Sequence, residues 1–292
     1  ATVNSDGSYS TTGDLSGLAD GPLTVTASVS DAAGNPATAT DTAALDTTAA
    51  ITVNLDDVNS GNVGAAPITG TTAGVEAGQT VTLVITDGTA TVTVTAVVNP
   101  DGSYNTTADL SGLADGPLTV TATVSDTAGN PATATDTAAL DTTAAITVSL
   151  EDVNGGNVGA APITGTTNGV EAGQTVTLQV TDGTATVTVT AVVNPDGSYS
   201  TTADLSGLAD GPLTVTASVS DAAGNPATAT DTAALDTSAA ITVSLDDVNS
   251  GNLTAVRITG TTNGVEAGQT VTLVISDSDP STPDVTISAI VN

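Results

Sequence analysis

Apolar and hydroxyl side chains alternate in short runs along the whole chain. The runs TATVTVTAVV (89–98) and LTVTATVS (118–125) place Val, Leu or Ala at every second position, with Thr or Ser between them. Because successive side chains of a strand point to opposite faces, this period of two predicts strands with one buried face. Turn signals such as Asp87-Gly88 and Gly129-Asn130-Pro131 separate the runs. No segment has a useful helical period, so an all-β chain is predicted.

The pattern itself repeats every 95 residues. LSGLADGPLTVTA begins at Leu15, Leu110 and Leu205, and the motifs DGSY, GVEAGQTVTL and DTAALDT keep the same interval. Residues 47–141 and 142–236 differ at nine positions. A period of this length fits one small domain per repeat rather than a solenoid unit. The near-identity of the repeats predicts recent duplication and a longer array.

Each repeat has the strand number of an immunoglobulin-like sandwich. Seven short strands in about 95 residues are typical of that fold. No Phe or Trp is present, so the core consists of Val, Leu, Ile and Ala, and each domain is expected to be only marginally stable unaided. The strands predicted in the repeat 47–141 are 51–55, 67–72, 79–86, 89–98, 103–110, 118–125 and 132–140.

A domain border just after Asp46 divides the chain into four parts. Residues 47–141 and 142–236 are then complete repeats, residues 1–46 are the C-terminal part of a repeat, and residues 237–292 are the N-terminal part of another. The two terminal parts are complementary. Either they are sections of a longer array, or the end of one chain is completed by the start of the next.

The charge and the missing residue types exclude several functions. The chain has 32 acids and one base, Arg257, which argues against binding to nucleic acid or to anionic membrane surfaces. No apolar run of about 18 residues is present, so no membrane insertion by this segment is predicted. Without His, Cys or Lys there is no ordinary catalytic triad, thiol nucleophile, Schiff base or zinc site. A paired-carboxylate glycosidase usually needs aromatic platforms, and the chain has three Tyr, so an enzyme is not predicted.

The string LADGPLTVTATVSDTAGNPATATDTAALDTTAA, with its equivalents in every repeat, resembles the bacterial Ig-like tandem repeats of very large secreted adhesins. These include RTX adhesins that leave the cell by type I secretion. The resemblance covers the whole chain and implies an extended linear array of β-sandwiches at the bacterial cell surface. Two features depart from the family pattern: Pro-Leu follows the ADG turn where many repeats have Tyr, and the junction ends in Ala-Ala rather than Ala-Pro.

The resemblance also implies calcium at the domain junctions, where it stiffens the array. Ca²⁺ takes six to eight oxygen ligands, and carboxylates without bases suit it. The AGN turn and the junction Asp are expected at one pole of a domain, because a hairpin-like pair joins them. The ligands carried over from the family are Asp31, Asn35 and Asp46, then Asp126, Asn130 and Asp141, then Asp221, Asn225 and Asp236.

Two alternatives stay open for the acids. Asp56 or Asp57, with their equivalents in the later repeats, either close the calcium shell or lie at the far pole, since a five-residue strand spans roughly 17 Å. The junction acids are alternatively solvated charge that suppresses aggregation between nearly identical β domains.

The function predicted from these observations is that of a structural extender, or spacer, in a giant bacterial adhesin. It would project a terminal binding domain for cell adhesion or biofilm formation, with calcium at the junctions and neighbouring repeats of the same chain as partners. One alternative is a module that binds a host or surface glycan or protein, for which the variant loop Asp277–Asp284 and Arg257 are the only hint. Another is a subunit of an extracellular filament, in which terminal half-domains of different copies complete each other.

Overall fold

The alternating runs of the sequence form strands. The computed structural model describes residues 1–292, which form β-strands, turns and two single-turn 3₁₀ helices. The chain divides into two compact units, Ala1–Thr143 and Ala144–Asn292. The predicted all-β fold class is confirmed.

The strand bounds follow the predicted runs closely. The first unit contains β1 (Gly21–Ser30), β2 (Pro36–Leu45), β3 (Ala50–Ile51), β4 (Asn54–Leu55), the 3₁₀ helix Val63–Ala65, β5 (Ala66–Ala73), β6 (Thr80–Thr86), β7 (Thr91–Val97), β8 (Ser103–Ala108), β9 (Gly116–Ser125) and β10 (Pro131–Leu140). The second contains β11 (Ala145–Ile146), β12 (Ser149–Leu150), β13 (Val153–Asn154), the 3₁₀ helix Val158–Ala160, β14 (Ala161–Asn168), β15 (Thr175–Thr181), β16 (Thr186–Val192), β17 (Ser198–Ala203), β18 (Gly211–Ser220), β19 (Pro226–Asp236), β20 (Ala240–Ile241), β21 (Ser244–Leu245), β22 (Ile258–Thr259), β23 (Thr262–Asn263), β24 (Thr270–Ile275) and β25 (Val285–Ile290).

Strands β3 to β10 form a two-sheet sandwich, called here the first sandwich. One sheet has the order β10-β9-β6-β7. In the other, β5 pairs with β8 on one edge and with β3 and β4 on the opposite edge. The strand pairs are antiparallel, and one parallel bridge between Val58 and Leu140 ties the first strand of the sandwich to the last. This arrangement is that of an immunoglobulin-like domain.

The core of the first sandwich lies between its two sheets and is almost entirely aliphatic. Alternate residues of β6 and β9 point inward and are buried, while the Thr residues between them face outward. The inward side chains with no exposed surface include Ile68, Val81, Leu83, Ile85, Leu118 and Val120. The alternation seen in the sequence therefore divides buried from solvated faces as predicted.

One aromatic side chain completes this core. Tyr104 is buried against Gly70, and its hydroxyl donates a hydrogen bond to the backbone carbonyl of Thr52. A Cβ atom at position 70 would overlap both that carbonyl and the tyrosine ring. The Thr52 carbonyl lies at the break between β3 and β4, where the predicted strand 51–55 is divided in two.

Burial of the tyrosines predicts a specific alkaline transition. Loss of water around the rings raises the pKa of Tyr104 and of Tyr199 from 10.0 to about 12. Because the pKa of each tyrosine is higher in the folded than in the unfolded protein, the neutral buried phenol stabilises the fold. This stabilisation is complete below about pH 10 and is lost as the pH rises through about 12. We expect phenolate absorbance of these two residues to rise together with loss of β-sheet circular dichroism. Ionisation well before any loss of structure would contradict the buried placement.

The second unit contains the same sandwich, called here the second sandwich, in strands β11 to β19. Its sheets are β13-β19-β18-β15-β16 and β14 paired with β11, β12 and β17. Tyr199 packs on Gly165 and its hydroxyl donates to the Thr147 carbonyl, as in the first sandwich. One core comprises residues between 55 and 140, and the other comprises residues between 146 and 235. The borders 47–141 and 142–236 stay a prediction, and each range encloses one core.

The two ends of the chain form smaller sheets. In residues 1–46, the N-terminal segment, β1 pairs only with β2. In residues 237–292, the C-terminal segment, the pairs are β20-β23, β21-β22 and β24-β25. Several large apolar side chains are exposed in both segments. The structure has no helix with the length and apolarity needed to cross a membrane.

Candidate functional site

The AGN turn between β9 and β10 is organised around a buried carboxylate. The backbone N–H of Asn130 donates to Asp126 Oδ1 at 2.8 Å, and Asn130 Nδ2 donates to Asp126 Oδ2 at 2.6 Å. Gly129 has a φ of 96°, a left-handed conformation that favours glycine. Asp126 is only 5 % exposed. The side-chain amide of Asn130 is the main cause that holds the pKa of Asp126 below its usual range, so this acid stays ionised.

Asn130 also contacts the linker that precedes the first sandwich, residues 46–49. Its Nδ2 donates a second hydrogen bond to the backbone carbonyl of Asp46 at 3.1 Å. Asp46 directly follows β2, whereas Asn130 lies 84 residues later in the next repeat. The asparagine of the turn therefore joins one repeat to the linker of the repeat before it.

The ADG turn of the preceding repeat, residues 19–21, holds the same linker from its other side. The hydroxyls of Thr47 and Thr48 donate to the two carboxylate oxygens of Asp20, at 2.8 and 3.0 Å. The Thr47 side chain is the main cause that lowers the pKa of Asp20. In the first sandwich, Asp115 accepts equivalent hydrogen bonds from the two threonines that follow Asp141.

A second carboxylate stands beside the buried one. Glu76, in the turn between β5 and β6, accepts a hydrogen bond from the Thr127 backbone N–H at 2.9 Å. That bond is the main cause that lowers the pKa of Glu76, and the negative charge of Asp126 opposes the shift. No Lys or Arg occurs anywhere in the first unit. Two neighbouring carboxylates are thus stabilised by hydrogen-bond donors without a basic side chain.

The second sandwich repeats this arrangement. Asp221 accepts from the Asn225 backbone and side chain at 2.8 and 2.7 Å, and Glu171 accepts from the Ala222 backbone N–H at 2.8 Å. Asp221 and Asn225 are 5 % and 2 % exposed.

The expected grouping of Asp31, Asn35 and Asp46 is wrong. Asp31 and Asn35 form the same turn contacts as the later AGN turns, but that turn lies at the far end of the hairpin from Asp46. The register pairs Gly21 with Leu45, and a strand of ten residues is about 30 Å long. The pairings of β9 with β10 and of β18 with β19 likewise separate Asp126 from Asp141 and Asp221 from Asp236. The Asp46 carbonyl instead accepts from Asn130 of the following repeat, whose side chain also donates to Asp126.

Asp57 lies at the pole opposite to Asp46. Its Oδ1 accepts from the Ala139 backbone N–H at 2.7 Å, and the Asp141 N–H donates to the Val58 carbonyl next to it. Asp152 accepts from Ala234 in the same way in the second sandwich. Of the two alternatives for these acids, the far pole is the one observed, where they join the first strand of a sandwich to its last.

The junction at Asp46 suits a hard cation in the kind of donors it offers but not in their number. The carboxylates of Asp126 and Glu76 and the carbonyl of Asp46 are all oxygens, as Ca²⁺ prefers. The structure has no group of three or more acidic side chains placed to share a metal ion. Both oxygens of Asp126 are also engaged by Asn130.

Comparison with solved structures identifies the family. The chain is 38 % identical to a tetra-tandem repeat in the extending region of a large adhesion protein, over 99 % of this chain and 75 % of that chain, with a TM-score of 0.37. The chain belongs to the tandem repeats of large bacterial adhesins. The resemblance inferred from the sequence is therefore confirmed.

Two further adhesins are similar to this adhesin repeat. One is described as a Ca²⁺-stabilized adhesin that helps an Antarctic bacterium reach out and bind ice; it is 26 % identical over 100 % of this chain and 86 % of that chain, with a TM-score of 0.40. The other is a bacterial immunoglobulin-like domain from the M. primoryensis ice-binding adhesin, 28 % identical over 33 % of this chain and 99 % of that chain, with a TM-score of 0.25. A scan of family models and a search of curated proteins gave no match. These similar adhesins are structural repeats rather than catalytic domains.

Proposed function

We propose that this adhesin repeat is an extender, which holds a distal binding domain of its parent protein away from the cell surface. The observation that carries the proposal is the linker after β2, which is hydrogen-bonded on both sides. Asp20 of the preceding repeat holds Thr47 and Thr48, and Asn130 of the following repeat holds Asp46. A linker fixed to both neighbours resists bending, as a spacer requires.

The near-identity of the repeats supports the same function. The nine differences between residues 47–141 and 142–236 leave the Asp and Asn of both AGN turns, both tyrosines and the glycines that contact them unchanged. A specialised binding site would need only one copy. An extender instead gains length from each additional copy, and copies this alike are then expected.

Calcium at the junctions is the finer part of the proposal. Asp126 and Glu76 form a pair of carboxylates without a base, and together with the Asp46 carbonyl they would be the protein ligands. Bound Ca²⁺ would supply positive charge that relieves the repulsion between the acids and adds to the stiffness of the linker. The description of the Antarctic adhesin as Ca²⁺-stabilized supports this part.

The test is thermal melting and small-angle scattering of the full chain with calcium and with EDTA. A compact chain of this length has a radius of gyration of about 19 Å, and an extender is expected to exceed that value clearly in both conditions. At a calcium concentration a hundredfold above Kd, each occupied site adds about 2.7 kcal/mol to the free energy of unfolding of its domain. For a domain of this size, that raises the melting temperature by about 10 °C.

Matched variants separate the two parts of the proposal. Glu76→Gln with Asp126→Asn should abolish the calcium-dependent shift of the first sandwich. Asp101→Asn, which removes the same kind of charge from a turn bonded only to Ser103, should leave that shift in place. An equal melting temperature with calcium and EDTA would refute the calcium site. A radius of gyration near the compact value would refute the extender.

A further inference from the structure

The loop between β24 and β25, residues 277–284, contains the only Asp-Pro bond of the chain. It is three residues longer than the equivalent turns at 87–91 and 182–186, which contain no proline. The pair Asp279-Pro280 combines a side chain that can attack with a nitrogen that leaves easily. The carboxylate can close a ring on its own backbone carbonyl carbon. The proline nitrogen, which carries no N–H, is more basic than an ordinary amide nitrogen and accepts a proton more readily.

Two hydrogen bonds fix the orientation of the Asp279 carboxylate. The backbone N–H and the hydroxyl of Ser281 both donate to its Oδ1, at 2.9 and 2.7 Å. This is an Asx turn, in which the side chain folds back across the following residue, here Pro280. Neither donor engages Oδ2, which is therefore the carboxylate oxygen placed to react.

The carbonyl group of the same bond is hydrogen-bonded as well. The Thr282 backbone N–H donates to the Asp279 carbonyl oxygen at 3.1 Å, which closes a β-turn with Pro280 at its second position. A donor at this oxygen stabilises the negative charge that develops there on attack. The Asp279 N–H in turn donates to Asp277 Oδ1 at 2.8 Å. All these contacts lie within the loop, so they depend on the loop sequence and not on the strands around it.

The turn is open to water and its carboxylate stays charged in acid. Residues 277–284 are exposed, as are Gly88 and Thr89 at the tip of the equivalent turn of the first sandwich. The Ser281 side chain is the main cause that lowers the pKa of Asp279. The carboxylate therefore remains ionised in more acidic solution than an ordinary Asp does. Acid can then supply a proton to the leaving nitrogen while the attacking group is still charged.

We propose that the Asp279–Pro280 bond is an acid-triggered self-cleavage site. Asp279 Oδ2 attacks its own backbone carbonyl carbon, the C–N bond to Pro280 breaks, and the proline nitrogen takes a proton from solvent and leaves as a secondary amine. Water then opens the cyclic anhydride left on Asp279, which restores the side-chain carboxyl and gives a terminal carboxyl. The net reaction consumes one water molecule and no other reactant. After the cut, β24 and β25 are held together by strand pairing instead of the loop.

Two other turns of the chain have the same carboxylate contacts without the proline. Asp101 and Asp196 each accept the backbone N–H and the hydroxyl of the serine two residues later, at 3.0 and 2.6 Å. A glycine follows each of them, and its nitrogen is an ordinary secondary amide. The Asp101–Gly102 and Asp196–Gly197 bonds should therefore stay intact where the Asp279 bond is cut, and they serve as internal controls.

Intact-mass spectrometry of the full chain tests the proposal, after incubation at about pH 7 and at about pH 4, close to the ordinary pKa of Asp. We expect loss of the intact mass at the acid pH only. The two products should be residues 1–279 and 280–292, and their masses should sum to that of the chain plus one water. An intact wild-type chain at the acid pH, or equally fast cuts at other Asp residues, would overturn the proposal.

Variants in the loop identify the reacting groups. Asp279→Asn keeps an oxygen that can accept the turn hydrogen bonds but removes the nucleophile, and Pro280→Ala restores an ordinary amide nitrogen. Both chains should remain intact at the acid pH. Pro283→Ala removes the other proline of the loop, which does not follow an acid, and should be cut at the wild-type rate. Cleavage of the Asp279→Asn chain at the wild-type rate would show that the carboxylate is not the nucleophile.

The same incubation in denaturing urea separates the contribution of the turn from that of the bond alone. Urea removes the hydrogen bonds from Ser281 and Thr282 but leaves the Asp-Pro bond in place. The native chain should therefore be cut faster than the unfolded chain. Equal or slower cleavage of the native chain would show that the turn does not promote the reaction, and the assignment of a built site would fail.

Discussion

Replacing Tyr104 by alanine should lower the free energy of unfolding of the first sandwich by about 3 to 5 kcal/mol, the usual loss for a buried aromatic residue. The ring is 1 % exposed and is the sandwich's only aromatic side chain. Its removal leaves a cavity beside Gly70, which has no side chain to fill it, and leaves the Thr52 carbonyl without its hydroxyl donor. A domain built from small aliphatic side chains has little stability to lose, so unfolding at physiological temperature is expected.

The conservative variant separates the ring from its hydroxyl. Tyr104→Phe keeps the packing and removes one hydrogen bond, and it should cost about 1 kcal/mol. Chemical denaturation monitored by circular dichroism measures both variants, and the second sandwich with Tyr199 intact is the internal reference. A loss below about 1 kcal/mol for the alanine variant would show that the ring does not support the core.

The strands were predictable because their cause is local. Val, Leu and Ala alternate with Thr in runs such as 118–125, and β9 buries the apolar set and exposes the hydroxyl set. The break between β3 and β4 was not predictable in this way. It lies where the Thr52 carbonyl accepts the hydroxyl of Tyr104, a residue 52 positions later, and no local pattern carries that information.

The composition of the candidate site was only partly predictable. The AGN turn and the junction Asp were both predicted to lie at a junction, but the structure does not bring them together in the combination that was expected. A single strand, β2, separates Asp31 from Asp46, so the two must lie at opposite ends of the hairpin. The number of strands between two acids decides whether they lie at the same end of a sandwich, and on this basis Asp46 belongs with the turn of the following repeat. Nothing in the sequence identified Asp20 or Glu76, whose roles depend on contacts with Thr47 and Thr127.

The acids of this chain are accommodated mainly as hydrogen-bond acceptors. With almost no bases available, Asp57 and Asp136 accept backbone N–H groups of Ala139 and Leu55 and so join the first strand of the sandwich to its last. Asp126 accepts both donors of Asn130. A carboxylate that accepts N–H groups keeps its charge without a cation. Acids that look unpaired in the sequence are therefore structural in several places.

Replacing Asn130 by alanine should weaken both the first sandwich and its link to the preceding repeat. The amide joins Asp126 Oδ2 to the Asp46 carbonyl, and loss of a hydrogen bond to a charged group costs about 2 kcal/mol. We expect a lower melting temperature and faster amide hydrogen exchange in the linker at residues 46–49. Asn99→Ala is the matched control, because the Asn99 side chain bonds only to the exposed Ser103 hydroxyl. If both variants exchange linker amides at the wild-type rate, Asn130 does not hold the junction, and linker stiffness has to come from the Asp20 contacts alone.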